Sequence, residues 1–438
     1  MKELTNIYPT LLLLLLFCAS KTMGQITQQQ SSTFLNNSIV ATGHVGISIY
    51  EPATGKYLYN YNPDKNFIPS SNVKLFSLYA GLKYLKDSLV GLRYVENDTA
   101  LFVYPSGDPT LLHVDFKSQP VISFLSGIQK HIFIDGAFKS KAYGSGWAWS
   151  DYQDYYMAER SALPVYGNTV AFMLKRNRFE TVPPTSSSFT FLQNFADSNI
   201  ETTVQRNFFS NSFTTVQNNE SNETVFTPFI TSAKLSAKLL ADSVHKKIDI
   251  LGMSAMPFVK SKNIKIFYSR PVDSLFKPMM FNSDNFFAEQ TLLMVSNEKL
   301  GYMSDEEIID ILLKNDLKDI PTKPRWVDGC GLSRYNLFSP KNFIYILDKL
   351  QKEFGLDRIK RILPTAGQGS LRGYYENAAG SIYAKTGSMS NNVSLSGYLY
   401  TKQNKLLLFS VMINNYSGSG RAGRKAIERF IQDVRNTN

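Results

Sequence analysis

Runs of β-branched and aromatic residues, separated by turn residues, open the patterned part of the chain. His44 to Tyr50 and Lys56 to Tyr61 are two such runs, and Pro52, Thr54 and Gly55 lie between them. Strand-like runs joined by a short turn are typical of a β-hairpin. The pattern therefore predicts that these two segments pair.

Apolar residues at helical spacing follow the hairpin. Between Ser71 and Lys86, Leu75, Leu78 and Leu82 recur every three or four positions. This period places them on one face of a helix. The segment is therefore predicted to be a buried helix that begins near Ser71.

Longer periodic elements return in the last part of the chain. Helices are predicted at Phe286 to Leu300, Ser304 to Lys314, Pro340 to Phe354 and Arg421 to Val434. Strands are predicted at Ser381 to Thr386, Val393 to Thr401 and Lys405 to Asn414. The apolar face of the last helix favours packing on a sheet over contact with a membrane.

Residues 98–262 have a different texture, with short strand-like pieces and polar loops. This difference predicts a separate inserted domain or domains, mostly β. Residues 25–38 are rich in Gln, Ser and Asn and are predicted to be a flexible lead-in.

The N-terminus has the pattern of a secretory signal. Met1 to Gly24 carries an early lysine, an apolar stretch and small residues at its end. No later apolar run is long enough to span a bilayer. A periplasmic protein without a membrane span is therefore predicted. Lipidation at Cys18 is the alternative, disfavoured by the bulky Phe17 before it.

The composition of the chain limits the classes of protein and of binding partner that are possible. The chain has 438 residues, enough for two or three domains, and 43% hydrophobic with 19% charged residues is typical of a globular protein. The net charge of +11 suits anionic envelope polymers, carboxylate-bearing substrates or nucleic acid. No nucleic-acid-binding signature accompanies it, so a nucleic-acid partner is not expected.

Histidine and cysteine offer little chemistry. The four histidines show neither metal-ligand spacing nor a neighbouring nucleophile motif. We therefore expect no metal and no cofactor. Cys330, in Asp328-Gly329-Cys330-Gly331, is interpreted as a small residue in a turn rather than a nucleophile.

A hydroxyl and an amine stand three residues apart at the start of the predicted helix. Ser71 and Lys74 would project from one helix face, where a nucleophile and its base can meet. The positive end of the helix dipole favours negative charge that develops near the serine. Ser-x-x-Lys is a weak signal alone, because Ser243 to Lys246 matches it too.

Two further short motifs carry compatible groups. Ser283-Asp284-Asn285 supplies a hydroxyl that can relay a proton and an amide that can hold a substrate carbonyl. Lys385-Thr386-Gly387 ends a predicted strand, with a cation and a hydroxyl suited to a carboxylate. Separately, these motifs are equally compatible with a helix-capping turn and an exposed strand end.

Together and in this order, the three motifs match the set of penicillin-binding proteins and serine β-lactamases. The chain resembles the class C low-molecular-mass penicillin-binding proteins, the D-alanyl-D-alanine carboxypeptidase/endopeptidase family (peptidase family S13). The resemblance extends to Gly107-Asp108-Pro109-Thr110-Leu111, Gly146-Trp147-Ala148-Trp149-Ser150-Asp151, Ser161-Ala162-Leu163 and Asp328-Gly329-Cys330-Gly331-Leu332-Ser333-Arg334. This family usually has Ser where the chain has Cys330.

The resemblance implies an α/β fold of the penicillin-binding/β-lactamase-like transpeptidase type, an antiparallel sheet with helices. Its domain would be split into residues 39–97 and 263–438 by the mostly β insert at 98–262. The wide separation of Ser71 from Ser283 also resembles this family, since β-lactamases place the two motifs close together. The implied activity is that of a serine DD-peptidase on peptidoglycan stem peptides, with β-lactams as inhibitors.

Residue roles follow from the same resemblance. Ser71 would be acylated, Lys74 would be its base, Ser283 would carry the proton to the leaving D-alanine, and Asn285 would hold the substrate amide. Lys385 and Thr386 would attract the terminal carboxylate beside Gly387, and the N–H groups of Ser71 and Ser388 would form the oxyanion hole. Asp151 and Arg334 would receive the side chain of the stem peptide.

Two other functions remain open from the sequence. A serine β-lactamase would share acylation but release the drug quickly. A catalytically silent envelope-binding protein would keep the fold without using Ser71. The sequence does not separate carboxypeptidase from endopeptidase activity.

Overall fold

A computed structural model describes residues 28–175, 178–184, 188–196, 203–218, 223–252, 256 and 263–437. The predicted signal segment, Met1 to Gly24, lies outside these residues. The strands are β1 (His44–Glu51), β2 (Lys56–Tyr61), β3 (Ser88–Glu96), β4 (Ala100–Pro105), β5 (His131–Asp135), β6 (Thr169–Lys175), β7 (Arg178–Val182), β8 (Thr190–Ala196), β9 (Thr203–Arg206), β10 (Ser212–Asn218), β11 (Thr224–Pro228), β12 (Ile248–Leu251), β13 (Lys265–Pro271), β14 (Ile382–Met389), β15 (Asn392–Tyr400) and β16 (Leu406–Asn414). The α-helices are α1 (Gln28–Leu35), α2 (Lys74–Tyr84), α3 (Pro120–Gly127), α4 (Ala233–Val244), α5 (Asp273–Phe281), α6 (Asn285–Leu300), α7 (Asp305–Lys314), α8 (Pro340–Phe354), α9 (Leu356–Ile362) and α10 (Gly420–Thr437).

An antiparallel five-stranded sheet forms the centre of the molecule, with the strand order β14-β15-β16-β1-β2. The predicted hairpin is present, and Ile47 of β1 lies opposite Tyr61 of β2. His44 lies opposite Asn414, so the first strand of the sheet pairs with the last. The sheet therefore joins the two ends of the described chain.

Helices cover both faces of this sheet. Ile47 and Ile49 point to the face where Phe430 and Ile431 of α10 pack. On the opposite face Met412 packs in the core that α2, α6 and α8 share. The alternation follows from the two-residue period of a strand, and it buries both faces. The predicted packing of the last helix on a sheet is confirmed.

The predicted flexible lead-in contains helix α1, so this prediction is wrong. Phe34 is buried and its ring stacks on Phe430 with 4.7 Å between centroids. The amide of Gln30 also donates to the backbone carbonyl of Asp433. A Gln- and Ser-rich segment has weak helical periodicity of its own, and this one gains order from packing on α10.

The docking of α1 can be tested by removing its aromatic anchor. We expect Phe34→Ala to lower the free energy of unfolding by about 3 kcal/mol, because it deletes a buried ring. Urea unfolding measures the change, with the exposed Gln29→Ala as the matched control on the same helix. Equal stability of both variants would show that α1 does not contribute to the folded state.

The described part of residues 98–262 is mostly β, as predicted. It forms two three-stranded sheets, ordered β8-β10-β9 and β11-β6-β7, and a five-stranded sheet ordered β12-β5-β4-β3-β13. In the last of these, β3 pairs directly with β13. The sheet of the insert therefore includes strands on both sides of the predicted boundaries at residues 98 and 262.

Besides α1, four helices were not predicted from the sequence: α3, α4, α5 and α9. Helix α5 contains Pro278, a residue that argues against a helix interior. Packing of Leu275, Phe276 and Met279 into the main core stabilises it. In the described part of the chain, no helix is long and apolar enough to cross a bilayer.

Candidate active site

The turn before α2 brings Ser71 and Lys74 together. Ser71 lies in a single 3₁₀ turn, Ser70–Val73, and Lys74 is the first residue of α2. The Lys74 ammonium lies 3.0 Å from Ser71 Oγ, 2.6 Å from Asn285 Oδ1 and 2.8 Å from the carbonyl oxygen of Cys330. A nucleophile, an amine and an amide from two motifs thus share one hydrogen-bonded group.

The partners of Lys74 suit a neutral amine. The oxygens of Asn285 and Cys330 can only accept, so they take two N–H groups. Without its third proton, the nitrogen directs a lone pair at the Ser71 hydroxyl, which can then donate. Complete burial lowers the pKa of Lys74 and favours this form, although the nearby acidic groups oppose the shift.

A second lysine holds the second hydroxyl. Lys385, on β14, donates to Ser283 Oγ at 2.8 Å and to the carbonyl oxygen of Thr386 at 2.7 Å. Its side chain is fully buried, and burial together with the positive charge of Lys74 holds its pKa well below the ordinary value. In this position Lys385 orients the hydroxyl of Ser283. Lys385 itself is not among the residues that line the cleft described below.

Helix capping aligns the second motif with the first. Asp284 caps α6 by accepting from the N–H of Phe287, which leaves Asn285 as the first helical residue. The Asn285 amide nitrogen donates to the carbonyl oxygen of Tyr156 at 2.9 Å. Since Lys74 occupies its oxygen, the side chain is held at both ends and keeps one N–H for a substrate carbonyl.

Two glycines allow the backbones around Ser71 to approach closely. A Cβ on Gly387 would lie 2.5 Å from the carbonyl oxygen of Pro69, and one on Gly331 would lie 2.0 Å from that of Ser70. Gly331 also has φ of +92°, which other residues rarely adopt. Strand β14 and the loop of Cys330 therefore clamp the nucleophile's turn from two sides.

These groups open onto a cleft of about 750 Å³. The predicted site residues that line it are Ser71, Asp151, Ser283, Asn285, Arg334, Thr386 and Ser388. Lys74, Lys385 and Gly387 lie beneath its surface, in contact with the lining residues. The structure thus gathers all ten predicted residues around one cleft. The second Ser-x-x-Lys copy lies at the end of α4, where Ser243 bonds Tyr166.

The sequence analysis missed a buried charge network under the site. The carbonyl of Cys330 bonds Lys74, and its N–H donates to Glu289 at 2.7 Å. Glu289 in turn accepts from Arg160, which also pairs with Asp305 at 2.6 Å. Burial raises the pKa of Glu289 to about 7. A charged residue inside the apolar pattern of α6 was the available signal.

Asp328 organises the loop that carries Cys330. Its two oxygens accept from the N–H groups of Gly331 and Ser333 and from the side chains of Asn336 and Trp147. The oxygens of Asp328 and Glu289 near Cys330 are thus satisfied by protein donors. Burial raises the pKa of the Cys330 thiol well above its ordinary value, which argues against its use as a nucleophile.

The family comparison decides the class of this enzyme. The model of the D-Ala-D-Ala carboxypeptidase 3 (S13) family matches residues 28–434. The chain belongs to this family. Membership confirms the resemblance found in the motifs and the predicted class, a serine-type D-Ala-D-Ala carboxypeptidase.

Relatives of the S13 chain are known in sequence and in structure. It is 24% identical over 424 residues to the D-alanyl-D-alanine carboxypeptidase of Actinomadura sp. strain R39, covering 85% of this chain and 78% of that protein. It is 26% identical over 176 residues to the D-alanyl-D-alanine carboxypeptidase DacB of Haemophilus influenzae, which is 38% of this chain and 37% of the relative's length.

The fold of the S13 chain has a solved counterpart. The crystal structure of penicillin binding protein 4 (dacB) from Haemophilus influenzae superposes with a TM-score of 0.72 at 19% identity, covering 92% of this chain and 98% of that one. The same protein complexed with a novel β-lactam gives a TM-score of 0.68 at 18% identity, covering 93% and 98%. These matches confirm the predicted fold class.

Proposed function

We propose that this protein is a serine DD-peptidase that removes the terminal D-alanine of peptidoglycan stem peptides, or cleaves D-alanyl cross-links, through an acyl-enzyme on Ser71. Family membership carries the enzyme class. The observation that carries the mechanism is the position of Lys74, which reaches Ser71, Asn285 and the Cys330 carbonyl at once. The amine is thereby fixed within proton-transfer distance of the nucleophile.

Acylation uses the first lysine. Ser71 Oγ attacks the carbonyl carbon of the penultimate D-alanine while its proton moves to Lys74 Nζ. The carbonyl oxygen becomes an oxyanion, which the N–H groups of Ser71 and Ser388 stabilise. The serine becomes an ester when the C–N bond breaks.

The leaving amine needs a proton when that bond breaks. Ser283 Oγ, held 2.8 Å from Lys385, donates its proton to the amine and takes one back from Lys385. Water then attacks the ester and gives a proton to Lys385 through Ser283. Ser71 Oγ leaves the acyl group and takes its proton back from Lys74, which releases the shortened peptide. The transfers between Ser71 and Lys74 and between Ser283 and Lys385 follow hydrogen bonds that the structure already contains.

The stem peptide would lie along the cleft. Asp151 and Arg334 carry opposite charges on its lining, suited to the amine and the carboxylate of a branched diamino acid side chain. The net positive charge of the chain would favour its association with an anionic cell wall. We place the enzyme in the periplasm, on the strength of the signal-like Met1 to Gly24.

Release of D-alanine from a synthetic stem pentapeptide tests the proposed activity. We expect the purified protein without its leader to release one D-alanine per peptide, and to gain the mass of one benzylpenicillin in intact-mass spectra. An adduct that decays within seconds with loss of the drug would support the β-lactamase alternative. If the protein neither releases D-alanine nor forms an adduct, the result would support the catalytically silent binding protein.

A further inference from the structure

The buried position of Lys385 leaves the substrate carboxylate without the cation that the motif predicted for it. The lysine is fully buried, and its hydrogen bonds go to Ser283 and to the backbone of Thr386. Yet the substrate of a DD-peptidase carries a carboxylate beyond the scissile bond. Another positive group must face that carboxylate if the cleft is to recognise it by charge.

Only three of the described residues that line the cleft carry a full charge: Asp151, Arg334 and Arg424. Arg334 follows the loop whose Ser333 and Tyr335 pack against Gly146, in the segment that leads to Asp151. Arg424 instead belongs to helix α10, beneath the strand of Thr386. The two arginines therefore reach the cleft from different elements, and Arg424 is the cation on the side of β14.

Arg424 and Thr386 line the same two cavities. Both line the cleft, and both also line a small void behind β14 that Leu395 closes. Thr386 and Ser388 point to the same face of their strand, and their partners across the sheet are the apolar Leu395 and Val393. The neighbouring strand thus supplies no cation at this point, and α10 supplies one.

The guanidinium of Arg424 has an unpaired charge and unused hydrogen-bond donors among the described residues. Among the described residues no carboxylate forms an ion pair with it, and its buried Nε has no hydrogen-bond partner. Its contact is with the ring of Tyr374, 5.5 Å from the centroid. The nearby carboxylate on α10, Glu428, pairs with Lys425 and accepts from the N–H of Tyr375.

A planar guanidinium beside two hydroxyls is suited to a carboxylate. Arginine donates two parallel N–H bonds to its oxygens, and hydroxyls supply further donors. We propose that Arg424, with Thr386 and Ser388, forms a subsite that binds the free carboxylate of the residue released by cleavage. This inference rests on the proposed function, because it assigns part of the same substrate.

Two peptides that differ only at that carboxylate test the subsite. One ends in D-alanyl-D-alanine, and the other ends in D-alanyl-D-alaninamide. We expect the parent to favour the acid in kcat/KM, and Arg424→Gln to lower kcat/KM for the acid by about 10- to 100-fold. The variant should treat the amide within about twofold of the parent.

Matched controls separate recognition from folding. Arg421→Gln removes an exposed arginine of the same helix and should keep the preference of the parent. Equal losses on both peptides in Arg424→Gln would assign the residue a structural role and overturn the proposal. Loss of the preference in Arg334→Gln, but not in Arg424→Gln, would place the carboxylate on the other arginine and also overturn it.

Calorimetry distinguishes this proposal from the proposed function. If the parent hydrolyses neither peptide, the proposed activity is wrong. The affinities of the parent for the two peptides then test the carboxylate subsite alone. Tighter binding of the acid, lost in Arg424→Gln, would sustain the carboxylate site without catalysis. Equal binding of acid and amide by the parent would overturn it.

Discussion

Replacing Ser71 with alanine is expected to abolish both D-alanine release and the penicillin adduct. The variant removes the only atom that forms the acyl bond, while Lys74 keeps its two carbonyl partners. Loss of a catalytic nucleophile lowers kcat by about 10,000-fold or more in serine hydrolases. Intact-mass spectra with benzylpenicillin and a D-alanine assay measure the two effects on the same samples.

The second Ser-x-x-Lys copy supplies the control for that experiment. Ser243 bonds Tyr166 and the backbone of Leu239 at the end of α4, and it is absent from the cleft lining. Ser243→Ala should therefore keep full acylation. A penicillin adduct of unchanged yield on Ser71→Ala would contradict the proposed nucleophile.

Replacing Lys74 with arginine is expected to slow acylation by about 1,000-fold. Arginine keeps the positive charge but cannot become neutral near physiological pH, so the variant removes the base alone. The rate of adduct formation with benzylpenicillin gives the effect, and a thermal melt verifies that the buried guanidinium is tolerated. Lys246→Arg, the corresponding change in the second copy, should acylate at the parent rate.

The pH dependence of the parent follows from the same proton. Lys74 must be neutral to accept from Ser71, so acylation should rise with pH as this lysine loses its proton. Because burial lowers the pKa of Lys74, the rise should occur below the range where an ordinary lysine titrates. Glu289→Gln identifies any inflection due to Glu289, whose pKa is raised to about 7. An acylation rate that falls as pH rises through this range would contradict a neutral base.

The motif residues were predictable because each short motif lies on or beside an element that the sequence pattern predicts. Ser71 and Lys74 mark the beginning of a helix, and Lys385 lies within a largely buried strand. Local spacing brings the first two together without any knowledge of the fold. The meeting of Ser283 with Lys385 required only that the three motifs belong to one known set.

The supporting charges were not predictable in the same way. Arg160 lies 129 residues from Glu289 and 145 residues from Asp305, and only Glu289, inside the apolar pattern of α6, carries a local signal. Arg424 similarly follows the polar pattern of an amphipathic helix. Helix α1 depends on Phe430, a partner almost at the other end of the chain. Such contacts exist only once the fold has formed.

The pairing of His44 with Asn414 also sets the order in which the molecule can become active. A chain that emerges N-terminus first can complete the insert's sheets early, because their strands all precede residue 272. The central sheet must wait for β14, β15 and β16. A nascent chain therefore carries Ser71 without Lys385 or Thr386 until synthesis is nearly complete, which delays the reactive serine's assembly to the last stage of folding.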